Sequence, residues 1–137
     1  ELIAVLPRLR ASLSADPDAM LLVGRRHLRS TNSWMHNIRV LVKGKPRCTL
    51  QIHPDDAARL GVVNGGAVRV TSRVGSVIAP AEITDAIRPR VVSLPHGWGH
   101  DAEGAQMRVA AEHAGVNSNV LTDHEAMDPL SSPEAMS

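Results

Sequence analysis

"HPDDAARLGVVNGGAVRVTSRVGSVIAPAEITDAIRPRVVSLPHGWGH", residues 53–100, sets the fold class. It opens on a short helix: Pro54 suits a first turn, Asp55 and Asp56 favour the positive end of the helix dipole, and Gly61 ends it. "NGG" at 64–66 tolerates positive φ and predicts a tight turn. Val68 and Val70 then alternate with Arg69 and Thr71, the pattern of a half-buried strand. "VGSVIAPAEIT" is a second strand, entered at Gly75, whose Pro80 suits an edge or a bend. A short apolar strand, Val91 to Leu94, runs straight into the loop "PHGWGH". Short strands at close spacing with a single short helix predict a small β-rich domain.

On the N-terminal side, "RCTLQIH" alternates well enough for another strand, and "AMLLV" predicts one over roughly Ala19 to Gly24. Residues 1–17 read as an amphipathic helix and linker, with Leu2, Ile3, Leu6, Leu9 and Leu13 at helical spacing. Pro7 argues against one long helix, since an interior proline costs about 3 kcal/mol. On the C-terminal side, "DAEGAQMRVAAEHAGV" predicts a helix or a partly ordered excursion bounded by Gly104 and Gly115. The main unit is residues 18–131, followed by a short tail, 132–137.

With 137 residues the chain can bury one core, and two domains would be cramped. There is no Phe or Tyr, so the core must be aliphatic, and the only large aromatics are Trp34 and Trp98. The net charge of +1 supplies no field for nucleic acid or a membrane surface, so any anion site must be built locally. Cys48 stands alone, which excludes an internal disulfide and suits a reducing compartment. A cytoplasmic location is expected on that ground, with any targeting signal lying upstream. The chain begins at Glu1 rather than Met, as a processed chain or a piece of a larger protein would.

Functional side chains concentrate in "GRRHLRSTNSWMHN", residues 24–37. A strand ending at Gly24 and followed by Arg25 and Arg26 could present two guanidinium forks to a phosphate. Ser30, Thr31 and Ser33 add neutral donors, and Trp34 a flat face for a heterocycle. The same stretch also reads as a solvated basic loop. "PHGWGH" is a rigid strand-end loop carrying His96, Trp98 and His100, where sites are commonly found. His96 and His100 are four apart on a glycine-rich loop, not a helix, so they do not read as a metal pair. No nucleophile elbow, paired carboxylates, Rossmann or P-loop signature is present, and no catalytic residue is indicated.

Three segments in order carry more than any one: "LLVGRRHLRSTNSWMHN", the 53–100 block, and "NSNVLTDHEAMDPLS" at 117–131. Together, from about Met20 to Ser131, they resemble the C-terminal, dinucleotide-binding domain of the molybdopterin oxidoreductases, the family of formate dehydrogenases, nitrate reductases and dimethyl sulfoxide reductase. The resemblance implies a mainly β fold, a six-stranded double-psi β-barrel with short helices of the aspartate-decarboxylase-like kind. It implies bis(molybdopterin guanine dinucleotide) with Mo or W as cofactor, and preceding domains of the same polypeptide as partners. Carried over, Gly24, Arg25, Arg26, His27, Ser33, Trp34, His36 and Asn37 would face the dinucleotide, with His96, Gly97 and Trp98 in the same cleft. Asn119 matches a pterin-contacting asparagine, with Asn117 and Asp123 beside it. The family's metal ligand and iron–sulfur cysteines belong to preceding domains, so the fragment alone is expected to be inactive. The alternative is a free-standing double-psi barrel acting as an interaction or substrate-recognition module.

Overall fold

A computed structural model describes residues 18–125. Five strands, β1 (Leu21–Arg25), β2 (Leu50–Ile52), β3 (Ala67–Thr71), β4 (Ser76–Ile83) and β5 (Val91–Pro95), form one mixed sheet in the order β1-β5-β2-β4-β3. Three short helices, α1 (Arg39–Val42), α2 (Pro54–Leu60) and α3 (Arg108–Ala111), and a 3-10 turn over Ser118–Leu121 complete it. The architecture is mainly β, as expected. Where the resemblance implies six strands closed into a barrel, the described residues form an open five-stranded sheet with β1 and β3 at its edges. The N-terminal helix and the C-terminal tail expected from the sequence lie outside the described residues.

Strand bounds follow partners rather than local composition. β1 pairs in parallel with β5 from Leu21↔Val91 to Arg25↔Pro95, which carries the first strand one residue past Gly24. Only Leu50–Ile52 of "RCTLQIH" finds partners, parallel to β4 on one side and antiparallel to β5 on the other. Pro80 sits in a strand with neighbours on both sides, yet β2 pairs only from Ala81 onward. On that side Pro80 is effectively at an edge, where its missing N–H costs nothing.

α2 forms as the sequence predicts, with one addition. The His53 side chain caps it, Nδ1 accepting from Asp55 N–H at 3.2 Å, with Pro54 at the first position and Gly61 left-handed at φ 66° as its stop. Asp56, almost fully buried, accepts the backbone N–H of Arg90 at 2.6 Å and ties the helix to the start of β5. The predicted helix in 101–116 shrinks to four residues, Arg108–Ala111.

The core joins Leu50, Ile52, Val92 and Leu94 of the central strands to Ala57 of α2, Ala79 of β4 and Leu121. Leu94 is fully buried. The sheet borders an apolar cavity of about 540 Å3 lined by Leu22, Leu50, Ile52, Val68, Val70 and Leu121, among others. Leu94→Ala is expected to destabilise the domain by about 2–5 kcal/mol, the usual cost of a core cavity, measured by urea denaturation.

Candidate functional site

Register decides which loops meet. Parallel pairing sets the carboxyl ends of β1 and β5 side by side, with Arg25 opposite Pro95. β2 runs against β5, so its entry, residues 47–49, lies at the same end. β4 parallels β2, which brings the β3–β4 turn, residues 72–75, to that end as well. The segments 26–37 and 96–100 therefore leave the sheet together. Gly99 and His100 N–H groups both donate to Ala114 O, which draws the 114–123 segment onto them.

Packing between these segments leaves no room for larger residues. A Cβ on Gly97, which sits at φ 84°, would collide with the backbone carbonyl of Asn32. One on Gly99 would press on Asn117, and one on Gly75 on the carbonyl of Val120. Thr31 and Asn32, at φ 43° and 63°, are left-handed without being glycine. For β-branched Thr31 this costs on the order of 1 kcal/mol or more, so the loop is held by its surroundings.

Beneath the loops lies a polar core. His36 is 1 % exposed and stacks on Trp98 with ring centroids 4.0 Å apart. Its Nδ1 is 2.7 Å from His100 Nε2, and its Nε2 is 2.8 Å from Ser30 Oγ. Burial, followed by the neighbouring His100, lowers the His36 pKa from 6.5 to about 4. Burial also lowers that of His100. Both imidazoles are neutral near pH 7.

The predicted site residues divide by where they point. Arg25 turns inward: Nη1 donates to Ser93 O at 2.5 Å, and Nη2 to Thr49 O at 2.7 Å and Thr49 Oγ1 at 2.9 Å. Thr49 Oγ1 in turn donates to Glu82 Oε2 at 2.5 Å, a bond that holds the Glu82 carboxyl below its ordinary range. Half-buried His27 lies close by, its pKa lowered by burial and then by Arg25. Arg26 points outward and donates from Nη1 to Asn32 Oδ1 within the loop. Trp34 is 82 % exposed, Arg29 is exposed without a partner among the described residues, and Ser33 is half-buried. Asn37 caps α3, its Oδ1 accepting from Val109 N–H at 3.0 Å and Ala110 N–H at 3.2 Å.

His96 is half-buried, with its N–H on Arg25 O at 3.3 Å. Trp98 is buried and stacks on His36. Asn117 caps the 3-10 turn through Asn119 N–H at 3.0 Å, while the Asn119 side chain is exposed. Asp123 is paired with Arg73 at 2.5 and 2.7 Å, which holds its pKa down at about 2. Gly24 is exposed, with nothing close to where a Cβ would be. Sequence reasoning does not reach Thr49 and Glu82, whose parts depend on the β1–β5–β2–β4 register. It places Ser30 and His100 in the right loops without the bonds to His36 that join them.

Arg26, Arg29, Trp34 and Asn119 are thus exposed on loops fixed from below. A family model described as "Molydopterin dinucleotide binding domain" matches residues 20–136, and the chain belongs to that family of molybdopterin dinucleotide binding domains. It is 39% identical over 93 residues to the molybdopterin-containing subunit of the arsenate respiratory reductase of Chrysiogenes arsenatis, covering 66% of this chain and 11% of that protein. It is 33% identical over 101 residues to a putative dimethyl sulfoxide reductase chain of Escherichia coli, covering 74% and 12%. With the F420-dependent formate dehydrogenase subunit alpha of Methanocaldococcus jannaschii it shares 46% identity over 81 residues, covering 59% and 10%. The chain thus spans about a tenth of these relatives. Acetylene hydratase from Pelobacter acetylenicus shares the fold, with a TM-score of 0.65 at 20% identity, covering 84% of this chain and 16% of that one. The comparisons give no support to a free-standing recognition module.

Arg25→Ala is expected to cost about 2–4 kcal/mol, because it removes the donors to the Ser93 carbonyl of β5 and to the Thr49 carbonyl and hydroxyl at the entry to β2. Lysine should not rescue it, having no planar fork to span them. Gly97→Ala should destabilise by a comparable amount by prising the 26–37 loop from the 95–100 loop. Both are read by chemical denaturation beside wild type.

Proposed function

We propose that this chain binds the guanine dinucleotide form of molybdopterin, as one half of a bis(molybdopterin guanine dinucleotide) centre holding Mo or W, in a larger oxidoreductase. One observation carries the reading: the segments 26–37, 96–100 and 114–123 converge at one end of the sheet and leave Arg26, Arg29, Trp34 and Asn119 exposed there. The donor set fits such a ligand. Guanidinium groups of Arg26 and Arg29 suit a diphosphate. The Asn119 amide can read the edge of a pterin or guanine, and Trp34 can stack on a ring. Ser33 adds a hydroxyl. Arg25, Asn37 and Asp123, spent on internal bonds, act by building the site rather than by touching the ligand.

When bound, the cofactor supplies the redox chemistry at its metal. This chain binds and orients it: the arginines neutralise the diphosphate, and the neutral histidine core below keeps the rim fixed. Preceding domains of the same polypeptide are the proposed partners, supplying the metal ligand and the substrate site. A formate dehydrogenase-like activity and a cytoplasmic location are the readings we favour for the whole protein. We further infer that the open sheet is part of a six-stranded double-psi barrel. The mixed pairing, with two parallel and two antiparallel strand contacts, and the apolar cavity along the sheet support that closure.

The test uses the full-length protein. Replacing Arg26, Trp34 and Asn119 together by alanine should reduce the guanine nucleotide released on acid hydrolysis, and the bound Mo or W, by tenfold or so, at unchanged folding. Unchanged cofactor content in that triple variant would overturn the binding assignment.

A further inference from the structure

The loop bearing Arg26, Arg29 and Trp34 is strained, and its anchor is a chain of neutral polar groups. Thr31 and Asn32 hold left-handed backbone at the loop's apex. Four residues past Asn32, His36 reaches under the loop between Ser30 Oγ and His100 Nε2, at 2.8 and 2.7 Å. Ser30, His36 and His100 are all buried, and Trp98 covers the imidazole face of His36. Each link of this chain holds a single proton. Either His36 donates to His100 and accepts from Ser30, or His100 donates to His36, which then donates to Ser30; both arrangements are neutral and fully bonded.

We propose that the Ser30–His36–His100 chain is the positioning element that keeps the 26–37 loop in its ligand-binding form, and that protonating it releases the loop. The role in ligand binding rests on the function proposed above; the anchoring of the loop does not. The neutral pair carries two ring protons, one on each imidazole, and a third creates a charge in a buried site. A fourth removes the acceptor on which the His36–His100 bond depends. The charged groups around the pair offer His36 no relief. Arg47 and His27 act against its charge, and Asp101 lies beside His100, not His36. The carbonyl of Gly97 alone favours a proton on His36.

The sign follows from the two states. The exposed imidazole of an opened loop binds its proton near pH 6.5, whereas the closed one binds it near pH 4. Between those values the open form takes up more protons, so closure is stable above about pH 6.5 and is lost as pH falls toward 4. Local opening should therefore rise on the order of tenfold or more between pH 7.5 and pH 5.

Hydrogen–deuterium exchange on the full-length protein reads this directly. After correction for intrinsic rates, protection of amides 27–37 should fall at least tenfold from pH 7.5 to pH 5, while β5 keeps its protection. His36→Gln and His100→Gln, which cannot take up the proton, should each flatten that dependence, and Ser30→Ala should raise opening at both pH values. Equal wild-type protection at the two pH values, or a pH dependence surviving both glutamine variants, would overturn the proposal. Cofactor content of the same samples separates the two readings. Loop opening without bound dinucleotide at any pH would sink the proposed function and leave the anchor standing. Dinucleotide retained at pH 7.5 with no change in protection would do the reverse.

Discussion

A sheet runs out of ladder partners at its strand ends, and at the site end of this one the Arg25 guanidinium supplies them. It bonds the carbonyl of Ser93 on β5 and that of Thr49 at the entry to β2, and through the Thr49 hydroxyl it reaches Glu82 on β4. Four strands are thereby gathered by one side chain, with burial weakening its basicity and Glu82 restoring part of it. An arginine suits this place because its fork carries several donors in a fixed plane. Without it, the Ser93 and Thr49 carbonyls would lose the donor that joins them at the base of the loops.

The loops rest on that base through a dry histidine–tryptophan layer. Small residues make it possible: Gly97 admits the Asn32 carbonyl, Gly99 admits Asn117, and Gly115 admits the edge of Trp98 and the Cys48 side chain. Asn37 carries the connection onward by capping α3, some seventy residues later in sequence. The result divides labour by depth. Buried polar groups fix the backbone, and Arg26, Arg29, Trp34 and Asn119 stay exposed above them.

Local signals were the legible ones. Pro54, the two aspartates and Gly61 define α2 within eight residues, and the "NGG" turn followed by the Val68/Val70 alternation marks the entry to β3; both stand in the structure as the sequence predicts. The parallel β1–β5 pairing joins residues 70 apart and leaves no local mark, so the extent of β1 and the inward course of Arg25 were not legible. One cue was available. Successive residues on a strand face opposite sides, so Arg25 and Arg26 could not both be expected at the rim. The tryptophans carried less than their rarity implied, because a strand-end position does not say whether a ring lies over or under its loop. Trp98 lies under. Pro80 and the short α3 show the same limit, since tertiary partners, not composition, decide where a strand has a free side or a helix stops.

The division between the two tryptophans has an optical consequence. With no tyrosine in the chain, its near-ultraviolet absorption and emission come from two indoles in opposite surroundings. Trp98, dry and stacked on an imidazole, should emit in the blue and report on the packing beneath the rim. Trp34, standing in water, should emit in the red and be open to quenchers, reporting on whatever covers it. The domain carries its own pair of fluorescent labels, one for the foundation and one for the surface it supports.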